Sequence, residues 1–379
     1  MIYLDNAATT KISPLVSEAI YPYLTEYYGN AGSMYELGRI SAEAIQVARN
    51  RVATLIGAEP NQIVFTSGGS EANNLVLSGM APSLKRSGQG IVTTKIEHHS
   101  ILRTLDGLRN RGEIDLVRFL KCGVNGKLNP KTLSENLENI GLVSVMYVNN
   151  ETGIKNNVKE LAEIAHKHNA LFHTDCVQAA GFHPINVDEI GCDFLSISSH
   201  KIHGLKGVGA LYVRNFDYLE PLIYGGKEQE FGYRGGTENV AGIVGFGEAC
   251  VSAWTHLQEN REHINNVVRC FITSLSEEGI ANYQILSPLS DTKIVSILFE
   301  NVDAQTLVAA LDSQGVCISA GSACRSQETE PSHVLLDLGL NNLQSRMVVR
   351  FSFSEYNTEE EAKEAASIVA KCISTLRHL

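Results

Sequence analysis

The chain has 379 residues, enough to bury a large core and to divide into two domains. Its formal net charge of -11 argues against broad contact with nucleic acid or anionic membrane, because phosphate contacts need clustered Lys and Arg. With 44% hydrophobic residues, no apolar run of membrane-span length and no basic-then-apolar opening in Met1-Ile2-Tyr3-Leu4-Asp5, it reads as a globular cytoplasmic protein without a signal peptide.

Residues 1–12 read as a short extended arm, and Ser13-Pro14 supplies the cap and first-turn proline of a helix. After a break at Tyr28-Gly29-Asn30-Ala31-Gly32-Ser33, a long helical pattern covers about 34–55 and is closed by Gly57. A strand at 62–66 then enters Ser67-Gly68-Gly69-Ser70-Glu71 and a helix opening Ala72-Asn73-Asn74. The free N–H groups and dipole of such a helix favour an anion such as phosphate, although any strand-to-helix turn favours Gly and Ser. Apolar, β-rich segments recur at 91–94, 115–119, 143–149, 170–174, 193–198 and 208–213, with helical patterns at about 98–110, 130–139 and 158–168. This alternation predicts an α/β fold with a largely parallel sheet covered by helices on both faces, binding its ligand at the carboxyl ends of the strands. Ser70, His98, Asn150, Asp175 and Lys201 fall at those ends.

Helical patterns cover about 239–278, and a second alternation follows: a strand at 292–299, a helix at 303–313 and a strand near 316–319. A loop of small and polar residues spans 320–332, a strand covers 347–353, and Thr358 caps a last helix running to about 375. The expected division is a large domain, 13–255, and a smaller α/β domain formed by 1–12 and 256–379, with the N-terminal arm packed on the latter.

Lys201 ends an apolar strand among hydroxyls and imidazoles, in Ser198-Ser199-His200-Lys201. It is a candidate Schiff-base nucleophile if partly desolvated, and otherwise a surface lysine. Asp175, with Gln178 three residues on, is a general base, a partner for a cationic ring nitrogen or a cap for the next turn; no second carboxylate follows at metal spacing. His98, in Glu97-His98-His99, can stack on a planar cofactor, shuttle a proton, or serve the structure alone. Arg350, inside an apolar strand, needs an anionic partner, and a substrate carboxylate suits its planar fork. The eight cysteines form no C-x-x-C pair and no zinc-spaced cluster, so no metal is expected and most are expected to be small buried hydrophobes. Cys324 differs: it lies in the small-residue loop beside Arg325, which favours a thiolate.

Several motifs occur together: Phe65-Thr66-Ser67-Gly68, Glu97-His98, Val148-Asn149-Asn150-Glu151, Asp175 with Gln178, Ser198 with His200-Lys201, Arg234 with Gly236-Thr237, and Ser322-Ala323-Cys324. With Tyr3-Leu4-Asp5-Asn6-Ala7-Ala8-Thr9-Thr10 at one end and Arg350-Phe351-Ser352 at the other, the chain resembles the cysteine desulfurases over nearly its whole length. These are pyridoxal-phosphate enzymes of fold type I in the class-V aminotransferase group. The resemblance implies a mostly parallel seven-stranded sheet in the large domain and pyridoxal 5'-phosphate as cofactor. It implies that Lys201 holds the cofactor, that Asp175 pairs with its pyridine nitrogen, that His98 stacks on the ring as a catalytic residue, and that Gln178 and Asn150 contact its phenolate oxygen or the substrate. Ser70, the Gly69 backbone, Ser198 and His200 would hold the phosphate. Thr237 would complete the phosphate site of a neighbouring subunit, which implies a homodimer. Arg350 would bind the carboxylate of L-cysteine, and Cys324 would take the sulfur as a persulfide and pass it to an acceptor protein.

Ala31, Tyr35 and Ser354 depart from the family pattern, which usually has Pro, His and often Gly there. They leave the cofactor chemistry alone and the acceptor open: iron–sulfur assembly, tRNA thiolation and sulfur modification of DNA all draw on such enzymes. The rival readings are a selenocysteine lyase or another class-V pyridoxal-phosphate enzyme, and a non-catalytic sulfur carrier or regulator.

Overall fold

A computed structural model describes residues 1–321 and 331–378. Cys324 lies outside the described residues. The arm carries β1 (Ile2–Tyr3), followed by α1 (Pro14–Thr25), α2 (Glu36–Ile56), β2 (Ile63–Thr66), α3 (Gly69–Ser87), β3 (Gly90–Thr94) and α4 (His99–Asn110). Next come β4 (Val117–Leu120), α5 (Pro130–Ser134), β5 (Ile140–Ser144), α6 (Val158–Lys167), β6 (Leu171–Asp175), α7 (Val187–Ile190), β7 (Phe194–Ser198) and β8 (Gly209–Val213). The remainder contains α8 (Val240–Thr255), α9 (Leu257–Glu277), β9 (Tyr283–Ile285), β10 (Ile294–Phe299), α10 (Ala304–Ser313), β11 (Val316–Cys317), β12 (Ser319–Ala320), α11 (His333–Asp337), α12 (Asn342–Ser345), β13 (Val348–Ser352) and α13 (Glu359–Arg377).

β2, β8, β7, β6, β5, β3 and β4 form, in that order, a seven-stranded sheet, parallel except where β8 runs against β2 and β7. Successive strand residues serve opposite faces. Phe65, Val143 and Leu195 join the core under α1, α2, α6 and α8, while Val64, Leu142 and Phe194 join the core under α3 and α4. The antiparallel sheet β12-β13-β10-β9 has its own core with α9, α10 and α13, and takes in Ile2 and Leu4 of the arm. β1 pairs in parallel with β11.

Local chemistry sets the ends of the elements. Ser13 Oγ accepts the Val16 N–H at 3.2 Å, Thr358 Oγ1 accepts the Glu361 N–H at 3.1 Å, and Gly57 closes α2 in the left-handed region. Three expected elements differ. The strand expected at 143–149 ends at Ser144, beyond which the Met146 N–H goes to the Glu97 side chain at 3.0 Å instead of to a neighbouring strand; the Asn149 side chain then turns the backbone by accepting the N–H groups of Glu151 and Thr152, both at 2.9 Å. The helix expected at 130–139 stops at Ser134. The helical stretch expected at 239–278 breaks at His256.

A buried ion pair fixes the turn that leads to Arg234–Thr237. Arg49 donates from both Nη atoms to Glu230 at 2.8 Å, and from Nη1 to the Ile63 carbonyl at 2.7 Å. Glu230 also accepts the Phe65 N–H at 2.7 Å. Glu230 and Phe231 both hold positive φ, 42° and 58°, which non-glycine residues adopt at a cost. Arg49→Ala strands a buried carboxylate and should lower stability by about 3–5 kcal/mol. Urea denaturation followed by circular dichroism checks this; a loss below about 1 kcal/mol would show that the pair does not carry the turn.

Candidate active site

The site begins at the end of β6. Asp175 is 6% exposed, and both its oxygens are held: Oδ1 accepts the Val177 N–H at 2.9 Å and Oδ2 accepts the Asn73 amide at 2.8 Å. The first turn of α3 comes this close because residue 69 is glycine; a Cβ there would stand 2.5 Å from Val177 Cγ2. Gln178 donates to the Ala7 carbonyl at 2.9 Å and keeps a buried Oε1 without a hydrogen-bond partner.

β7 delivers the second group. Ser198 is buried, and its Oγ has no hydrogen-bond partner. His200 Nδ1 lies 3.1 Å from Thr9 Oγ1, and burial, reinforced by Lys201 and Lys206, pushes the pKa of this imidazole down to about 4. Lys201 Nζ donates to the carbonyls of Ala7 and Ala8 at 2.5 and 2.8 Å, so the N-terminal arm passes directly over the amine.

The loop after β3 brings two unlike side chains. His98 caps α4, its Nδ1 accepting the Ser100 N–H at 3.1 Å and lying 2.8 Å from Ser100 Oγ. Burial lowers its pKa. Beneath it Glu97 is fully enclosed, accepting from Thr94 Oγ1 at 2.7 Å and from the Met146 N–H at 3.0 Å. Burial raises the Glu97 pKa to about 8. Asn150 follows the Asn149 turn, and its carbonyl accepts from Arg350 Nη1 at 2.8 Å. Arg350, on β13, is 2% exposed, and its Nη2 lies 3.0 Å from Asp5 Oδ1. The anionic partner that its burial demands therefore lies within the chain, and Nε remains without a hydrogen-bond partner.

Ten of the expected site residues line one cavity of ≈ 450 Å³: Gly69, Ser70, His98, Asn150, Asp175, Gln178, Ser198, His200, Lys201 and Arg350. Gly69, Ser70, Ser198 and His200 also line a continuation of it at the start of α3. Thr237 stands apart, exposed, in a recess with Phe65, Glu230 and Arg234; Arg234 binds Glu71 at 2.9 Å and so ties that loop to the start of α3. Sequence reasoning missed Asn73, Glu97, Ser100, Glu151 and His333, which share the cavity, and Asp5. Of the seven described cysteines, four are buried and Cys270, Cys317 and Cys372 are only partly so. Among the described residues no cluster of His, Cys, Asp and Glu suits a metal ion, and no helix is long and apolar enough to cross a membrane.

Residues 2–364 match the family described as aminotransferase class-V, and the chain belongs to that family. It is 38% identical over 379 residues to the cysteine desulfurase IscS of Dictyoglomus turgidum, covering 99% of this chain and 95% of the relative. A solved NifS-like protein superposes with a TM-score of 0.91 at 32% identity, covering 99% of both chains. A solved structure of SspA in complex with cysteine superposes with a TM-score of 0.80 at 32% identity, covering 94% of this chain and all of that one. Members of the family work with pyridoxal 5'-phosphate. The residues present fit that group. A carboxylate and an amine face one cavity, the start of a helix lies at one end, and the buried Ser198 Oγ, Gln178 Oε1 and Asn73 Oδ1 lack protein partners.

The Glu97 carboxyl provides a test of this geometry. Its pKa is raised on folding, so through the range from about 4.5 to about 8 the folded chain binds the proton more tightly than the unfolded chain does. Its contribution to stability therefore falls as pH rises through that window, by at most about 1.4 kcal/mol per pH unit. Glu97→Gln should flatten the decline. Urea midpoints of the two proteins compared across the window check this, and parallel curves would count against a protonated Glu97.

Proposed function

We propose that this protein is a pyridoxal-phosphate-dependent cysteine desulfurase that converts L-cysteine to L-alanine and carries the sulfur as a persulfide on Cys324. The observation that carries the reading is the convergence of the Asp175 carboxylate, the Lys201 amine and the Arg350 guanidinium on one cavity. Full-length similarity to cysteine desulfurases, and to a protein solved with cysteine, supports it.

When bound, pyridoxal 5'-phosphate supplies an electron sink that weakens the bonds at Cα and Cβ of the amino acid. Asp175, whose oxygens are held by Val177 and Asn73, would keep the ring nitrogen charged. Ser70, the Gly69 backbone, Ser198 and His200 would hold the phosphate, and His98 would hold the ring. Gln178 and Asn150 face the phenolate oxygen or the substrate. Lys201 would anchor the cofactor and would take the Cα proton of the substrate. Arg350 orients the substrate carboxylate; its two Nη atoms are held by Asp5 and Asn150, which fixes the plane of the guanidinium. Cys324 forms the S–S bond as the C–S bond of cysteine breaks. Carbon is reduced to the methyl of alanine, the two sulfurs are oxidised to the persulfide, and Cβ gains the proton that balances the step. A thiol of an acceptor protein then takes the outer sulfur.

The same reading makes the enzyme a homodimer in which Thr237 reaches the phosphate of the neighbouring subunit. It assigns residues 13–255 to a cofactor-binding domain, and 1–12 with 256–379 to a domain bearing Cys324 and Arg350. The nucleophile is tested by intact mass after brief exposure to L-cysteine. The wild type should gain one reducible sulfur on the peptide carrying Cys324. Cys324→Ser should bind the cofactor but lose nearly all alanine release. A sulfur mapped to another cysteine would overturn the assignment. Lys201→Ala should abolish both turnover and the borohydride-bleachable visible band, and normal alanine production by it would refute the role of Lys201. Capture of persulfide acceptors then distinguishes iron–sulfur assembly, tRNA thiolation and DNA sulfur modification as destinations.

A further inference from the structure

We infer that Asn73 and Ser100 are positioning residues that join Asp175 to His98 in one hydrogen-bonded chain, which holds Asp175 as a carboxylate and His98 as the neutral tautomer with its proton on Nε2. The inference deepens the proposed function, and it rests on that reading only for its consequence. The geometry stands on three elements: Asn73 on α3, Ser100 on α4 and Asp175 at the end of β6.

Every proton in the chain can be placed. The Asn73 amide nitrogen lies 2.8 Å from Asp175 Oδ2 and 2.9 Å from Ser100 Oγ. Its two hydrogens go one to each; a flipped amide would set oxygen against a carboxylate. Ser100 Oγ is thereby an acceptor toward Asn73, and its own hydrogen is left for His98 Nδ1, 2.8 Å away. The Ser100 backbone N–H points at the same Nδ1 from 3.1 Å. Two donors converge on one ring nitrogen, so Nδ1 carries no hydrogen and the ring proton sits on Nε2. The frame is stiff: Asn74 donates to the Ser100 carbonyl at 3.3 Å and accepts from Thr104 Oγ1 at 2.7 Å, which ties α3 to α4 a second time.

The consequence bears on chemistry. The lone pair of the His98 ring is on Nδ1 and already engaged. The end left for a ligand is an N–H. While Ser100 is in place, His98 offers the cavity a ring face and a hydrogen bond, and takes no proton from a thiol or an amine. The groups that act on His98 are Asp175 on β6, Lys201 after β7, His333 on α11 and Glu151 after β5; Asp175 and Glu151 favour the imidazolium, whereas burial, Lys201 and His333 oppose it. Proton transfer in the cavity therefore falls to Lys201.

The test uses full-length, cofactor-loaded protein with 15N-labelled histidine, with His98 assigned by difference from His98→Gln. Ring nitrogen shifts followed across neutral pH should show His98 protonated on Nε2 and accepting at Nδ1. Ser100→Ala removes one donor to the lone pair and should raise the proton affinity of His98 about tenfold. Ser100→Thr, which keeps the hydroxyl, should restore the wild-type shifts. Asn73→Ala should move the pH midpoint of the visible cofactor band, because Asp175 loses one of its two donors. A wild-type His98 protonated on Nδ1 would overturn the inference without any variant, as would unchanged ring shifts in Ser100→Ala. The tautomer is read without turnover, so the two readings fail separately. Persulfide formation with an unmoved His98 in Ser100→Ala sinks only this inference. The expected shifts without persulfide on the wild type would sink only the desulfurase reading.

Discussion

The arrangement of the site depends on where the backbone of residues 2–13 finds its hydrogen bonds. This segment lies between two sheets, and its polar groups must be satisfied by one or the other. Leu4 accepts the Ser352 N–H at 2.7 Å, the Asn6 side chain donates to the Ser352 carbonyl at 2.9 Å, and the Ala7 N–H goes to Ser352 Oγ at 2.8 Å. Those bonds belong to the four-stranded sheet. Three residues later the partners change: the Thr10 N–H meets the His200 carbonyl at 3.0 Å and the Ser13 N–H meets the His203 carbonyl at 2.9 Å. The arm is a strap from β13 to the turn after β7. Asp5, on one half, grips Arg350, while the carbonyls of Ala7 and Ala8, at the middle, grip Lys201 and Gln178. The spacing between the Arg350 guanidinium and the Lys201 amine is thus set by the short run from Asp5 to Ala8.

The parts of this arrangement written in local pattern could be read from the sequence. Apolar β-branched runs marked β3, β6, β7 and β8 to within a residue or two, since a strand buried on both faces has no need to alternate. Asp175 and Lys201 were legible because a polar residue closing such a run must face the strand ends. The end of β5 was not legible: Val145 to Val148 are as apolar as a strand, and the ladder stops because the Met146 N–H is taken by the Glu97 side chain, 49 residues away in sequence. Asn73, Ser100 and Asp5 were illegible for another reason. Each acts through a partner 27 to 345 residues away, and an Asn in the first turns of a helix or an Asp near an N-terminus reads as ordinary until the fold supplies that partner. Cys324 stands out by the composition of its loop, and it lies outside the described residues.

The neutral groups in the cavity matter as much as the charged ones. A site for a phosphate ester and an amino-acid carboxylate gathers negative charge, and carboxylates left free at its edge would oppose both ligands. Three acids approach it from the large sheet. Asp175 is kept charged, but by neutral donors, Val177 and Asn73, so its charge remains available to a cation rather than being cancelled by an arginine. Glu97, one residue before His98, is enclosed with its pKa raised to about 8, and is thereby silenced near neutrality. Glu151 is held by Ser332 at 2.5 Å, at the foot of α11. On the basic side two of the imidazoles that line the cavity are kept uncharged, His200 by burial beside two lysines and His98 by burial and its occupied Nδ1, while Lys201 and Arg350 line the same cavity. A neutral His98 does not repel a cationic group held by Asp175, as an imidazolium would. The polarity of the site is therefore sustained by which groups folding prevents from ionising, and that follows from depth in the fold rather than from residue type.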